Sequence, residues 1–144
     1  MKIPKIYIIG SLANPKIPEL ANLLAKEGFE PFCDWFSPGP EADIKWREYS
    51  KARGWTYKQA LNSHAASHIF EWDKKHLDES DAAVMLMPAG KSGHLELGYT
   101  VGKGKPGFIL FDSEPEKWDI MVRFATDTFT HPNDLIFALR NLKF

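Results

Sequence analysis

The sequence predicts a single-domain α/β fold, in which a mostly parallel five-stranded sheet carries helices on both of its faces. Short β-branched and aromatic runs alternate with segments of helical periodicity, which is the order typical of parallel sheets. The chain has 144 residues, of which 44% are hydrophobic and 26% are charged, a composition that fits one globular domain over residues 1–144. No internal repeat, low-complexity tract or linker divides it.

The first half of the chain supplies two predicted strands and two helical segments. A β-branched and aromatic run closed by Gly10 indicates the first strand, and leucines at helical spacing indicate the first helix. A loop rich in proline and glycine then precedes a long helical stretch, which is broken at Gly54. The predicted elements are a strand at Lys5–Ile9, a helix from Pro15 or Pro18 to about Lys26, a strand at Phe29–Asp34, a loop at Ser37–Asp43 and helical structure from Ile44 to about Glu79.

The second half repeats this alternation and contains the most apolar strand, with the sequence DAAVMLM. A turn of small residues and a helix follow it, and PGFILF indicates a further strand. The predicted elements are a strand at Asp81–Met87, a turn at Ala89–Gly93, a helix at His94–Gly102, a strand at Pro106–Phe111, a helix at Trp118–Phe124, a short strand at Thr126–Thr130 and a helix at Pro132–Leu142.

Composition and charge exclude several classes of function. The formal net charge is −1, and lysines and arginines are scattered among acids, so neither a nucleic-acid polymer nor an anionic membrane is an expected partner. The N-terminal apolar run is too short for a signal peptide or a membrane span, which predicts a cytoplasmic protein acting on a soluble small molecule. The single cysteine, Cys33, fits a reducing compartment.

The loops Gly10–Asn14 and Pro88–Gly93 are the expected ligand site, because parallel sheets bind ligands at the carboxyl ends of their strands. Glu96 follows the second loop, in the predicted first turn of a helix, where free N–H groups and the helix dipole favour an ionised carboxylate. This position suits a reactive carboxylate at the mouth of the sheet. Position alone favours the alternative, an acid that only stabilises the helix dipole.

A second carboxylate, Asp73, lies near the end of the predicted helical stretch that leads into the strand at Asp81–Met87. It is placed to reach the same end of the sheet as Glu96. Two carboxylates at one site allow one to attack while the other gives and takes protons, as in retaining glycoside cleavage. The alternative is a solvated carboxylate beside Lys74 and Lys75.

The segment from Asp73 to Leu110 resembles the nucleoside 2-deoxyribosyltransferase family and the related 2′-deoxynucleoside 5′-phosphate N-hydrolases. The matching features are Asp73, the run SDAAVMLM, a turn containing glycine, ELGY at Glu96–Tyr99, and GKGKP before a hydrophobic strand. IYIIGS at Ile6–Ser11 resembles the first strand and substrate loop of the family. The order and spacing of these pieces carry the resemblance, which extends from residue 5 to about residue 111.

The resemblance implies a doubly wound, Rossmann- or flavodoxin-like sheet and an enzyme that cleaves the N-glycosidic bond of a (deoxy)nucleoside or nucleotide. Glu96 would form a covalent glycosyl intermediate, Asp73 would handle the proton, and the sugar would pass to another base or to water. No cofactor is required, since a carboxylate pair suffices, and a homodimer or larger homo-oligomer is implied. The substrate-binding residues implied are Tyr7, Gly10, Ser11, Ser92 and Gly93.

Two departures separate the chain from both subgroups. The transferases place a second acid in the turn before the nucleophile, where this chain has Gly90–Ser92. The hydrolases carry an arginine soon after the first-strand serine, where this chain has Leu12–Asn14. Two alternatives therefore stay open: a non-catalytic nucleotide-binding or sensor module on the same fold, and a hydrolase of another N-riboside such as a dinucleotide cofactor.

Aromatic and histidine residues of the helical stretch add one further prediction. Trp72 adjoins Asp73 and is the aromatic residue that we predict to contact substrate by base stacking. His64 and His68 share a helical face near Glu71, but the HExxH pattern is absent. We therefore favour surface or core-rim histidines and predict no metal site.

Overall fold

Five parallel strands form the central sheet of the computed structural model, which describes residues 2–144. The strands are β1 (Lys5–Ile9), β2 (Glu30–Phe32), β3 (Ala82–Leu86), β4 (Gly107–Leu110) and β5 (Asp127–Phe129). They lie in the order β2-β1-β3-β4-β5, and each pairing is parallel. The order reverses between β1 and β3, so the predicted doubly wound, five-stranded parallel sheet is confirmed.

Helices cover both faces of the sheet, as predicted. Residues of α1 and α6 pack in one buried cluster, and residues of α4 and α5 pack in the other. None of the helices within residues 2–144 has the length and apolar character needed to cross a bilayer. The helices are α1 (Lys16–Lys26), α2 (Ala42–Ala52), α3 (Tyr57–Leu61), α4 (His64–Glu79), α5 (Lys91–Gly102) and α6 (Pro132–Arg140), and two 3₁₀ turns occur at Asp34–Phe36 and Ile120–Phe124.

The alternation of side chains along β1 decides what faces the α4–α5 side of the sheet. Ile6 and Ile8 belong to the cluster under α1 and α6, whereas Tyr7 and Ile9 belong to the cluster under α4 and α5. Strand β3 is buried along its whole length, which explains its nearly continuous apolar sequence. The side chain of Tyr7, which the resemblance implies to be a substrate-binding residue, therefore faces α4 and α5.

Three predicted elements away from α5 differ from those observed. The helical stretch breaks at Gly54 as predicted, where φ is +73°, but it breaks again before Ser63, whose Oγ accepts a hydrogen bond from the N–H of Ala66 at 3.3 Å and caps α4. Strand β2 is shorter than predicted, because the chain enters a 3₁₀ turn in which the Trp35 indole N–H donates to the Ile8 carbonyl at 2.8 Å.

The third difference concerns the segment between β4 and β5. The predicted helix at Trp118–Phe124 is only a 3₁₀ turn, Ile120–Phe124. Asp119 starts this turn, and its carboxylate accepts a hydrogen bond from the N–H of Met121 at 2.9 Å. A short capped turn of this kind leaves no room for a regular helix before β5 begins at Asp127.

Candidate active site

Glu96 lies in the second turn of α5, and the prediction that placed it in the first turn is wrong. Gly90 is the extended N-cap, so Lys91–Gly93 are helical and the predicted turn ends early. Close packing explains this start, because a Cβ on Gly93 would lie only 3.1 Å from Cγ2 of Ile9. The absence of a side chain at Gly93 lets α5 begin directly against the sheet.

Asp73 lies in the C-terminal half of α4, which ends at Glu79 and leads into β3 as predicted. It is not the solvated surface residue of the alternative interpretation. Its Oδ1 atom is buried and has no hydrogen-bond partner among residues 2–144. A buried acceptor without a partner costs free energy, so this position calls for an explanation beyond folding.

Tyr7, Asp73 and Glu96 come together between β1, α4 and α5, and their environment shifts the pKa of each group. Burial raises the pKa of Glu96 to about 7, while a hydrogen bond from the Tyr7 hydroxyl lowers it in part and the Asp73 carboxylate raises it further. Burial also raises the pKa of Asp73 to about 6. The sequence suggested that the helix dipole keeps Glu96 ionised. In the structure, desolvation outweighs the dipole and raises the pKa instead.

Tyr7 is a neutral hydrogen-bond donor in this site. Its side chain is buried, and burial together with the Glu96 and Asp73 carboxylates raises the pKa of its hydroxyl far above the ordinary value. Between about pH 6 and pH 7, the two carboxyl groups hold one proton between them. Glu96 has the higher pKa of the two, so in the free site the shared proton lies mainly on Glu96 and Asp73 is mainly ionised. The state with an ionised Glu96 and a protonated Asp73, which a nucleophile and a proton donor require, is the less populated of the two one-proton states.

The predicted residues of the first loop lie at the carboxyl end of β1. Gly10 packs so closely that a Cβ there would lie 2.5 Å from Cδ1 of Ile17 and 3.5 Å from the Leu86 carbonyl oxygen. Ser11 is half-buried, and its Oγ accepts a hydrogen bond from the N–H of Ala13 at 3.1 Å. The loop is thus held at the switch in strand order, and a contact of Gly10 or Ser11 with a sugar stays a prediction.

The remaining predicted residues divide between the two helices. Ser92 is exposed in the first turn of α5, one residue before the buried Gly93. Trp72 is 39% exposed on α4, but its ring packs edge-on against Phe32 and His76, with centroids 5.4 and 5.1 Å apart. The Trp72 ring is therefore engaged on the β2 side, and its predicted contact with a base stays untested, as do the predicted roles of Ser92 and Gly93.

Phe32 and His76 are neighbours of the site that the sequence did not bring to attention. Their rings are stacked, with centroids 4.0 Å apart and an interplanar angle of 11°. Phe32 also contacts Tyr7, with ring centroids 5.3 Å apart. The available signal was the spacing of His76 three residues after Asp73, which places both on one helical face.

A second acidic residue, Asp78 near the end of α4, joins α4 to α5. It lies closer than Asp73 to the point where α4 leads into β3, and we call this the lower end of the α4–α5 contact. Asp78 accepts hydrogen bonds from the Tyr99 hydroxyl at 2.6 Å and from Lys74 at 2.7 Å. These bonds hold the pKa of Asp78 at about 2. Among the described residues 2–144, no three histidine, cysteine or acidic side chains converge in a way that could hold a metal ion.

The fold is shared with a number of solved structures, among them two enzymes. One is the 2-deoxyribosyltransferase from the psychrotolerant bacterium Bacillus psychrosaccharolyticus, at 18% identity over 97% of this chain and 93% of that chain, with a TM-score of 0.64. The other is the CMP N-glycosidase of Clostridium botulinum, at 14% identity over 94% of this chain and 98% of that chain, with a TM-score of 0.55. A scan against protein-family models and a search of curated proteins give no match. The likeness confirms the fold that the resemblance implied.

Proposed function

We propose that the protein cleaves the N-glycosidic bond of a (deoxy)nucleoside or nucleotide and transfers the sugar to another base or to water. The observation that carries the proposal is the buried pair of Glu96 and Asp73 beside Tyr7, with pKa values near neutrality. The two enzymes that share the fold are named as a deoxyribosyltransferase and an N-glycosidase, which supports chemistry of this class. Fold alone would not support it, because one fold hosts many functions.

The reaction starts from the less populated one-proton state, in which Asp73 holds the proton and Glu96 is ionised. In the first step, a Glu96 oxygen attacks C1′ of the sugar. The bond from C1′ to the base nitrogen breaks, and the leaving base takes the electron pair of that bond. Asp73, as a carboxylic acid, donates its proton to the base. The products are a glycosyl ester on Glu96, a neutral base and an Asp73 carboxylate.

In the second step, water or a second base attacks C1′ from the side that the first base has left. The ester bond breaks and returns the electron pair to the Glu96 carboxylate. The Asp73 carboxylate accepts the proton that the attacking group releases. Hydrolysis and transfer therefore differ only in the nucleophile that reaches the intermediate, and exclusion of water from the pocket decides between them.

The deciding experiment follows free base by chromatography, after incubation with deoxynucleosides, ribonucleosides and their 5′-monophosphates. Each incubation is run with and without a second base. Base release without an acceptor identifies a hydrolase, and base exchange that needs an acceptor identifies a transferase. A folded protein that gives neither reaction with any substrate contradicts the proposal and favours the non-catalytic binding module.

A trapping experiment tests the covalent intermediate directly. Fluorine at C2′ slows attack on the glycosyl ester, so a 2′-fluoro nucleoside should leave a sugar attached to the enzyme. Intact-mass measurement should show the added sugar, and peptide mapping should place it on Glu96. A label on another residue would remove Glu96 from the nucleophile's role, and turnover without any label would favour direct displacement.

We also propose that the protein assembles as a homo-oligomer. Because α4 leads into the start of β3, it runs antiparallel to the strands, and its N-terminal half extends past Asp73 on the carboxyl side of the sheet. Ile69 and Phe70 in this half are 56% and 64% exposed, and Tyr57 of α3 is 73% exposed. Large apolar side chains exposed in this way are a feature of subunit interfaces. Light scattering after size-exclusion chromatography should give at least a dimer, and Phe70→Glu should reduce the mass.

A further inference from the structure

Below the carboxylate pair, one histidine joins α4 to the sheet. His76 lies one turn after Asp73 on α4, and its ring is stacked on Phe32 at 4.0 Å. Its Nδ1 atom lies 2.9 Å from Nζ of Lys5. A lysine ammonium can only donate a hydrogen bond, so Nδ1 is the acceptor and the imidazole is neutral, with its proton on Nε2.

Phe32 contacts Tyr7 as well as His76, so it links the two residues. The parallel register of β1 and β2 pairs Tyr7 with Phe32, and their rings are tilted by 35° at a centroid distance of 5.3 Å. Phe32 is the last residue of a three-residue edge strand, so the backbone of β2 alone holds it weakly. The rings of His76 and Trp72 on α4 both pack on Phe32 and so help to set where its ring lies, and that ring in turn contacts Tyr7.

Helix α4 depends on this contact because little else of it is buried. It has 16 residues, and the buried side chain among them is Leu77, next to His76. Lys5 adds a contact to Glu79 at 3.5 Å and lies 5.2 Å from the centroid of the Phe32 ring. The His76–Phe32 stack therefore helps to set the height of α4 on the sheet, beside the contact of Trp72 with Phe32 and the bond from Tyr99 to Asp78, and with it the position of Asp73.

We propose that His76 is a positioning residue for the carboxylate pair: its neutral ring, stacked on Phe32, holds Tyr7 against Glu96 and holds Asp73 at the same level. The inference rests on the proposed function of that pair. His76 itself touches neither carboxylate in this role. It acts through Phe32 and Tyr7 on one side and through the helix backbone on the other.

The charged groups around His76 favour the neutral ring. Burial lowers the pKa of His76, and the ammonium groups of Lys5 on β1 and Lys75 on α4 lower it further. Glu79 on α4 and Asp34 in the turn after β2 act in the opposite direction. The net shift of the His76 pKa is downward, which favours the same neutral ring that the contact of Nδ1 with the Lys5 ammonium requires.

The test compares three substitutions at one position with a control on the same helix. His76→Ala removes the ring, His76→Leu fills the space without a flat ring, and His76→Phe restores the stack without a titrating group. His68→Ala is the matched control, because His68 is exposed on α4. The first readout is the titration of the Glu96 and Asp73 carboxyl carbons by ¹³C NMR, assigned with Glu96→Gln and Asp73→Asn, which needs no substrate.

In His76→Ala the Glu96 midpoint should move to higher pH, because the hydrogen bond from Tyr7 that lowers it is weakened. His76→Leu should behave in the same way, whereas His76→Phe and His68→Ala should keep the wild-type midpoints. Identical midpoints in all folded variants would overturn the proposal. If His76→Ala does not fold, the comparison of His76→Leu with His76→Phe decides, and equal midpoints there count against the stack.

The second readout is base release on the preferred substrate. His76→Ala should lower kcat by about 10- to 100-fold with KM nearly unchanged, since misplacing reacting groups by a fraction of an ångström to an ångström has this effect. His76→Phe should restore kcat. Unchanged kcat in folded His76→Ala would overturn the positioning role, whereas a wild-type protein that releases no base contradicts the proposed function and leaves the NMR test to judge His76.

Discussion

The two ends of the α4–α5 contact hold carboxylates in opposite situations. At the lower end, Asp78 accepts hydrogen bonds from Tyr99 and Lys74, with Lys103 3.6 Å away. Its pKa falls to about 2, so it is ionised at every physiological pH. At the upper end, the Tyr7 hydroxyl donates to Glu96, Asp73 Oδ1 has no partner among residues 2–144, and burial raises the pKa of both carboxyl groups.

The same two helices therefore satisfy one acid completely and leave two others short of partners. Lysines that would neutralise the upper pair are present on α4, but Lys74 turns to Asp78 instead. Protein folds keep unsatisfied ionisable groups at functional sites more often than elsewhere, since a poised pKa needs that environment. We therefore interpret the lower cluster as a clamp for the two helices, and the upper pair as the group to which our proposal assigns the reaction.

The largest effect is expected from Glu96→Gln. An amide cannot form the glycosyl ester, so base release should fall by about 10⁴- to 10⁶-fold, the range for loss of a nucleophile. Initial rates on the preferred nucleoside measure this. Asp78→Asn is the matched control at the lower end and should retain turnover, so comparable losses in the two variants would erase the distinction between the ends.

Glu96→Gln should also change the dependence of stability on pH. The pKa of Glu96 is about 7 in the folded protein against an ordinary 4.5, so the folded state holds this proton more tightly than the unfolded state. Wild-type stability from this group is therefore fully present below about pH 4.5 and is lost as the pH rises towards 7. Thermal unfolding at several pH values should show a flatter profile for Glu96→Gln, and parallel profiles would contradict the raised pKa.

The next effect is expected from Asp73→Asn, which removes the proposed proton donor. Turnover should fall by about 10²- to 10⁴-fold, as for other general acids. The pKa of Glu96 should fall as well, because the Asp73 charge raises it, and the acid limb of the pH–rate profile should move to lower pH.

A substrate with a charged base separates protonation from other causes of this loss. The base of a 7-methylguanine nucleoside already carries a positive charge and leaves without being protonated. Asp73→Asn should cleave it nearly as fast as the wild type does. An equal loss on both substrates would show that Asp73 acts otherwise than as the acid for the leaving base.

A smaller effect is expected from Tyr7→Phe, which keeps the ring packed on Phe32 and removes only the hydroxyl. The pKa of Glu96 should rise, because the hydrogen bond that lowers it is lost. Base release near neutral pH should fall by about tenfold, the equivalent of one hydrogen bond to a charged group. The pH–rate profile should move to higher pH on its acid side, and a lower rate with an unmoved profile would assign Tyr7 a different role.

The sheet and the two carboxylates could be predicted from the sequence because their signals are local or lie in residue order. The run DAAVMLM is apolar enough to specify β3, and strands alternating with helices specify parallel pairing. Glu96 and Asp73 followed from the resemblance. Their spacing along the chain alone left both open to structural explanations.

The start of α5 and the state of the carboxylates could not be predicted, because both depend on tertiary packing. Lys91–Gly93 resembles a turn in isolation and becomes helical through the contact of Gly93 with Ile9. The raised pKa of Glu96 comes from burial, which no local pattern reports. The contact of Phe32 with His76 depends on the β1–β2 register and on the position of α4 on the sheet. A short sequence motif predicts neither of these.

The smallest effect is expected from Tyr99→Phe, which loosens the lower clamp and leaves the upper pair intact. Thermal unfolding should begin a few degrees lower, about 2–4 °C for a chain of this size if the hydroxyl contributes about 1 kcal/mol. The pKa of Asp78 is held below its ordinary value, so its contribution to stability is present above about pH 4 and is lost as the pH falls towards 2.

Without the Tyr99 hydroxyl, the pKa of Asp78 should rise towards its ordinary value, and acid unfolding should begin at higher pH than in the wild type. Turnover near neutral pH should stay within about twofold, because neither reacting carboxylate loses a contact. Circular dichroism across the acid range and initial rates on the preferred substrate measure both effects. A loss of turnover comparable to that of Asp73→Asn would mean that the clamp sets the geometry of the upper pair, and the two ends would then be one site rather than two.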